Sequence, residues 1–249
     1  MSDKTKQDNP YAAPSVAVDP PSSQQGSVQL AYGLGSYRSA RGAAVVARVF
    51  LYINAVVAAL SMSAAIWAAS GGGRSYIAHM PKALLVYSLL IIVAVIARVA
   101  CAIPFCIWFY RAYANLLGLG SDYTAFKLGW APGSFFVPIL NLIRPQQIAR
   151  EIWMNSKNDE ASTNWGIVNR WWGFWLGGNI ISYIASRFTG NASMLNTGLW
   201  VGAFADLLLV AAAITGASMV ARIEQRQSEM AAQLAARGHE AAASGAISG

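Results

Sequence analysis

Residues 49–70 read VFLYINAVVAALSMSAAIWAAS, a run without a single charged side chain. Roughly 20 apolar residues in helical form cover a hydrocarbon core about 30 Å thick, so this run predicts a transmembrane helix. Working outward, three further segments meet the same test. Residues 83–110 hold Arg98 near the middle and Pro104 a turn and a half later, a proline that a spanning helix tolerates with a kink. Residues 171–186 are short, but open on Trp171, Trp172, Phe174 and Trp175, an aromatic belt suited to a membrane interface. Residues 195–221 are charge-free except for Asp206.

Composition agrees with that parsing. Of 249 residues, 55% are hydrophobic and 12% charged, about half the charged share of a soluble domain. Mean hydropathy is +0.40 even though both ends are polar. Two Cys and two His are too few for a disulfide-stapled domain or a Cys/His zinc module. Cys101 and Cys106, five apart on one helix, diverge too far to pair with each other. His79 in a predicted loop and His239 near the end lack a second ligand at useful spacing, so no metal and no cofactor is expected.

The ends read differently. Residues 1–40 carry Pro10, Pro14, Pro20, Pro21 and the run SSQQG without hydrophobic periodicity, which predicts a disordered tail. Three acids and a long polar lead before the first apolar run do not fit a secretory signal. Residues 222–249 read as a charged helix followed by an Ala/Ser/Gly-rich flexible tail from Ala241.

Between the second and third spans, residues 128–143 are apolar but hold Gly129, Pro132, Gly133, Pro138 and Asn141, which break a continuous helix. They predict a re-entrant or interfacial hairpin packed on protein, because unpaired backbone is not tolerated against lipid. Residues 145–156 then place Ile148, Ala149, Ile152 and Trp153 on one face and Gln147, Arg150 and Glu151 on the other, an interfacial amphipathic helix. With the N-terminus inside and the hairpin not crossing, the outer loops keep only Arg74, Lys82 and Arg187 among the cations, and Arg98 lies within a span. Lys and Arg accumulate on the cytoplasmic side. The fold class is therefore an all-α integral membrane protein of four transmembrane helices in the inner membrane, over residues 41–221, with both termini cytoplasmic. The net charge of +7 has a membrane explanation, and nucleic-acid binding is not required.

Arg98 and Asp206 are the sharpest local feature, since ionisable groups at span centres are costly and face a partner. Arg98 lies 13 residues before Arg111 and Asp206 lies 16 before Arg222, depths of about 20 and 24 Å on helices that run the same way. Gly198, Gly202 and Asp206 share one helix face, while Ala94, Arg98, Cys101 and Ala102 cluster on the other. Close approach is possible at such faces, and an intramembrane ion pair is expected. Gly173 and Gly177 repeat the small-residue pattern on the third span. Beyond the fourth, Ile223, Gln227, Met230 and Leu234 follow at 4, 3, 4 spacing, a short seam compatible with weak coiled-coil pairing.

The block Trp108, Arg111, Ala112 and Asn115, then Gly129, Trp130, Phe136, Pro138, Asn141, Arg144, Pro145, Glu151 and Trp153, in this order and spacing, resembles a bacterial membrane family known as domain of unknown function 4328. The resemblance runs over about residues 45–220 and is densest from 107 to 175. It implies a membrane protein with this hairpin, and it implies no activity. Physically, Arg111 is expected to cap the second span, where its charge suits the negative end of the helix dipole. Pro138 and Asn141 turn the hairpin, and Pro145 opens a helix where no N–H is needed.

No nucleophile with an orienting base, paired carboxylates or phosphate loop can be assembled, so catalysis is not expected. The sequence fits a non-enzymatic membrane interaction or scaffold component, with the lipid bilayer and a cytoplasmic protein as partners through the tails. The alternative is a small oligomeric transporter or channel built on Arg98, Asp206 and the broken helix.

Overall fold

The structure is a computed structural model that describes residues 37–70, 76–121, 124–156 and 164–247, with side chains at 37–70, 89–121, 124–156 and 164–239. The tail expected at residues 1–40 therefore lies outside the described residues up to position 36. Among the described residues there is no strand. Helix α1 is Arg41–Ala69, α2 is Tyr76–Gly118, α3 is the single turn Trp130–Gly133, α4 is Arg144–Asn155, α5 is Gly166–Thr189 and α6 is Leu195–Ile247. The 3-10 turns Ser134–Phe136 and Leu140–Leu142 lie between α3 and α4, and Ala192–Met194 joins α5 to α6.

Among the described residues, three segments are long and apolar enough to cross a membrane: Arg41–Ala69, Leu89–Gly118 and Ala192–His239. Their outward faces are apolar, with Val56, Leu60, Ile96, Val99, Ile103, Trp200, Phe204 and Leu207 among the exposed side chains. A surface of that kind suits contact with lipid or another apolar surface rather than water. Helix α5 has 24 residues, about 36 Å. It holds Asn179 and Arg187, and falls short of the apolarity of the other three.

Helix α6 is the central element, packed along both α1 and α5, while α2 packs on α1. Small residues set these distances. A Cβ at Gly216 would lie 2.9 Å from the Trp171 indole, and one at Gly198 would lie 2.7 Å from the backbone nitrogen of Thr189. Gly173, by contrast, faces open space, and Gly177 and Gly202 make only ordinary contacts. Of the close approaches, Gly198 belongs to the spacing singled out in the sequence, whereas Gly216 and Gly178, whose Cβ would lie 2.8 Å from Leu209, do not.

The core lies at the α4 end of the bundle. Phe105, Trp108 and Phe109 of α2 meet Phe135 and, on α5, Trp171. Phe105 stands 5.7 Å from Trp171, and Trp172 and Trp175 stack at 4.8 Å between centroids. Each such pair contributes about 0.5–1.5 kcal/mol beyond its buried area. Helix α4 closes this core: Ile148, Ala149 and Ile152 are fully buried, so its apolar face is against protein and not lipid. Pro145 sits in its first turn, where the missing N–H costs nothing.

Several boundaries differ from the sequence reading. Arg111 does not cap α2, because the helix continues for two turns to Gly118, with Ala112, Tyr113 and Leu116 completely buried. Core packing carries it past the apolar run. Two residues beyond its end the chain turns at Gly120, whose φ of +98° favours glycine. Residues 128–143 form α3 and two 3-10 turns that pack on each other, leaving Phe136 and Ile139 about three-quarters exposed at the tip. Positions 37–40, assigned by composition to the tail, are held, with Ala40 only 2% exposed. Helix α6 continues past Ala241 to Ile247, in keeping with the high helix propensity of its alanines.

Gly216→Leu is expected to lower thermal stability, since overpacking a rigid indole costs about 1–3 kcal/mol. Melting of the detergent-solubilised protein should show a loss of several degrees, while Gly173→Leu should melt like the parent.

Candidate functional site

Two polar sites join α2 to α6, which touch little elsewhere because α1 packs against both. The first lies at the α4 end and is built around Asn115 and Gln227, 5% and 1% exposed. The Asn115 amide donates to Gln227 Oε1 at 3.3 Å and to the Arg38 carbonyl at 3.0 Å. Its Oδ1 accepts from the Arg38 N–H at 3.2 Å. Gln227 Nε2 donates to the Ala112 carbonyl at 2.8 Å and to Ser156 Oγ at 3.1 Å. Ser156 in turn donates to the Ile152 carbonyl at 2.6 Å. The entry to α1, the last turns of α2, the end of α4 and α6 are thereby tied at one point.

The remaining motif residues brace the same region. Glu151 accepts from the Tyr113 hydroxyl at 2.9 Å and from the Ala125 N–H at 2.8 Å. Tyr113 accepts from the Phe126 N–H at 3.0 Å, so the two side chains fasten residues 125–126 to α2 and α4. Arg144 lies 4.2 Å from the centre of the Phe126 ring and 5.9 Å from that of Trp130. Trp153 donates to the Asn164 carbonyl at 3.1 Å and carries Arg226 over its ring at 3.7 Å. Trp108 is fully buried in the aromatic core. Asn141 is half-buried, and Pro138 and Arg111 are exposed. Of the motif residues, Arg111, Gly129, Trp130, Phe136 and Pro138 present surface to a ligand.

The second site is in the apolar stretch. Arg98 Nη2 lies 4.0 Å from Asp206 Oδ1, at the long limit of an ion pair, with the arginine side chain 43% exposed and the aspartate 15%. Both line a cavity of about 280 Å³ together with the hydroxyls of Ser61, Ser182, Ser186 and Thr189. Arg98 also borders an aromatic cavity of about 260 Å³ beside Phe105 and Trp171. The arrangement can hold a small polar molecule between opposite charges, or serve as a cross-brace where α2 and α6 are otherwise apart.

Sequence reasoning missed Asn54, Tyr113 and Ser156, and placed Gln227 on a coiled-coil seam rather than in a buried hydrogen-bonded set. Asn54 donates to the Ala97 carbonyl at 3.0 Å and so joins α1 to α2. Gln227 had a signal: a polar residue on the apolar stripe of Ile223 and Met230 marks a buried hydrogen bond. That stripe turns inward, since Ile223 is fully buried within its own chain, which takes its first half away from any coiled-coil pairing.

Asp206→Leu should reduce membrane accumulation more than Arg98→Leu, because a lone carboxyl neutralises by protonation and a lone guanidinium does not. Recovery in the double variant, measured by in-gel fluorescence and melting of the solubilised protein, marks a cross-brace. Three variants that all behave like the parent would exclude that role.

No curated protein and no solved structure matches this chain. The sequence pattern of one family matches residues 77–225, which takes in most of α2, all of α3 to α5 and much of α6. The braces described above fall inside that interval, apart from Arg38, Asn54, Ser61, Arg226 and Gln227, and the chain belongs to the family described as Domain of unknown function (DUF4328).

Proposed function

We propose that this protein is a non-enzymatic component of the inner membrane, with four spans, that presents a rigid helical arm and its polar N-terminal segment to cytoplasmic partners. One observation carries the reading: α6 is an uninterrupted helix of 53 residues. It is gripped at Gln227, and beyond that point about 30 Å of helix continues to Ile247. Side chains from Ala232 to His239 are all exposed along it. A helix that leaves its bundle in one fixed direction suits recognition, because little order has to be gained on binding.

Helix α5 supplies the fourth span in this reading. Its length is sufficient, and Ile180, Tyr183 and Ile184 extend the exposed apolar belt of the other helices. An even number of crossings places both ends on the side rich in Lys and Arg. With Cys101 and Cys106 replaced by alanine, an impermeant maleimide should label a cysteine at position 191 from outside and one at position 237 only after lysis. Labelling of both from the same side of intact cells would overturn the four-span arrangement.

The interaction role is tested by photo-crosslinking from the arm. Probes at Gln233 and Arg237 should give a discrete protein adduct that probes at Ile96 and Phe204 do not. If probes at Gln233 and Arg237 give no adduct, or truncation after residue 231 leaves the cellular phenotype of the parent, the arm is not the working surface. A second reading, transport, is favoured by the cavity between Arg98 and Asp206 with its four hydroxyls. Solute flux in proteoliposomes that is lost in Asp206→Asn would select it instead.

A further inference from the structure

A cavity of about 710 Å³ bordering the motif region opens beside the last turns of α2, apart from the arm, with Arg38 and Asn115 of the polar network in its lining. Its floor is apolar, formed by Ile107, Leu117, Leu128 and Pro132. Two cations, Arg38 and Arg111, stand on its walls with Tyr110. Among the described residues that line it there is no carboxylate, and neither guanidinium is paired with one.

Position explains the mixture. Ile107 continues the apolar, exposed face of α2 that runs through Ile96, Val99 and Ile103, whereas Arg111 is the first charge after that face. The cavity therefore straddles the boundary between hydrocarbon and head groups. Arg38 reaches it from another part of the chain, and its backbone is held there on both its N–H and its carbonyl by Asn115. Asn115 itself lines the cavity and is fixed by Gln227. A buried carboxamide thus spends its hydrogen bonds on positioning a residue whose side chain remains exposed. Two positioned cations without an internal anion call for an external one.

We infer that this cavity binds an anionic glycerophospholipid, with the phosphate between Arg38 and Arg111 and an acyl chain along Ile107 and Leu128. The apolar floor, continuous with the lipid-facing side of α2, argues for a lipid over a soluble phosphate. Tyr110, amphipathic and half in each environment, suits the glycerol level. The inference is independent of what the arm binds.

Native mass spectrometry of the full chain in detergent, with phosphatidylglycerol or phosphatidylethanolamine added, tests it. The parent should retain phosphatidylglycerol in preference. Arg38→Gln with Arg111→Gln should weaken that retention by about thirtyfold, since each surface cation contributes a factor of about five toward an anionic lipid. Arg38→Lys with Arg111→Lys should keep most of it, and Arg170→Gln should match the parent. Equal retention of the two lipids by the parent, or undiminished retention by the double glutamine variant, overturns the proposal. Displacement by sn-glycerol 3-phosphate at concentrations near those of the lipid also overturns it, in favour of a soluble phosphate ligand.

Discussion

The hydrogen bond between Asn115 and Gln227 is the joint on which the α4 end depends. Each carboxamide is withdrawn from water, and each is paired on several sides with Arg38, Ala112 and Ser156. Leaving a buried polar group without its partner costs about 1–3 kcal/mol, comparable to a good share of the margin by which a domain is stable. Because four segments converge on this pair, its geometry determines where α1 begins, where α4 stops and in which direction α6 leaves the bundle. The aromatic core beside it then has rigid walls to pack against.

Away from that joint the bundle is built on a different principle. Toward the turn between α5 and α6, packing rests on small residues, and α2 stands off from α6 with cavities between them. Arg98 and Asp206 reach across this gap. In a low-dielectric surrounding, each charge needs the other more than it would in water. The chain thus has a dense, aromatic end held by carboxamides, and a looser half held by one long ion pair and the Asn54 bond to α2.

This division bears on function. The dense end holds both features suited to binding, the projecting part of α6 and the cationic cavity at the foot of α2. Rigidity there is useful, since an arm aimed by a fixed joint, or two arginines held apart by a clamped backbone, lose little freedom when a partner arrives. The looser half holds the polar cavity, where adaptability would matter more.

Much of the fold was legible because membrane helices are specified locally. The charge-free length of residues 49–70 needs no partner to be read, and the period of Ile148, Ala149, Ile152 and Trp153 identifies a buried face from spacing alone. Depth is also linear in residue number along a helix, so counting from Arg111 and Arg222 put Arg98 and Asp206 at similar levels. Whether they face each other depends on helix order and rotation, which only the tertiary structure decides. The same holds for Asn115, which bonds to Arg38 77 residues before it and to Gln227 112 residues after it within one hydrogen-bonded set. Helix ends were misjudged for a related reason: α2 outlasts its apolar run because Ala112, Tyr113 and Leu116 are buried by other segments. Local pattern determines that a segment is helical and which environment it can enter; the contacts that end it, aim it and bring its polar groups together come from parts of the chain that no local pattern contains.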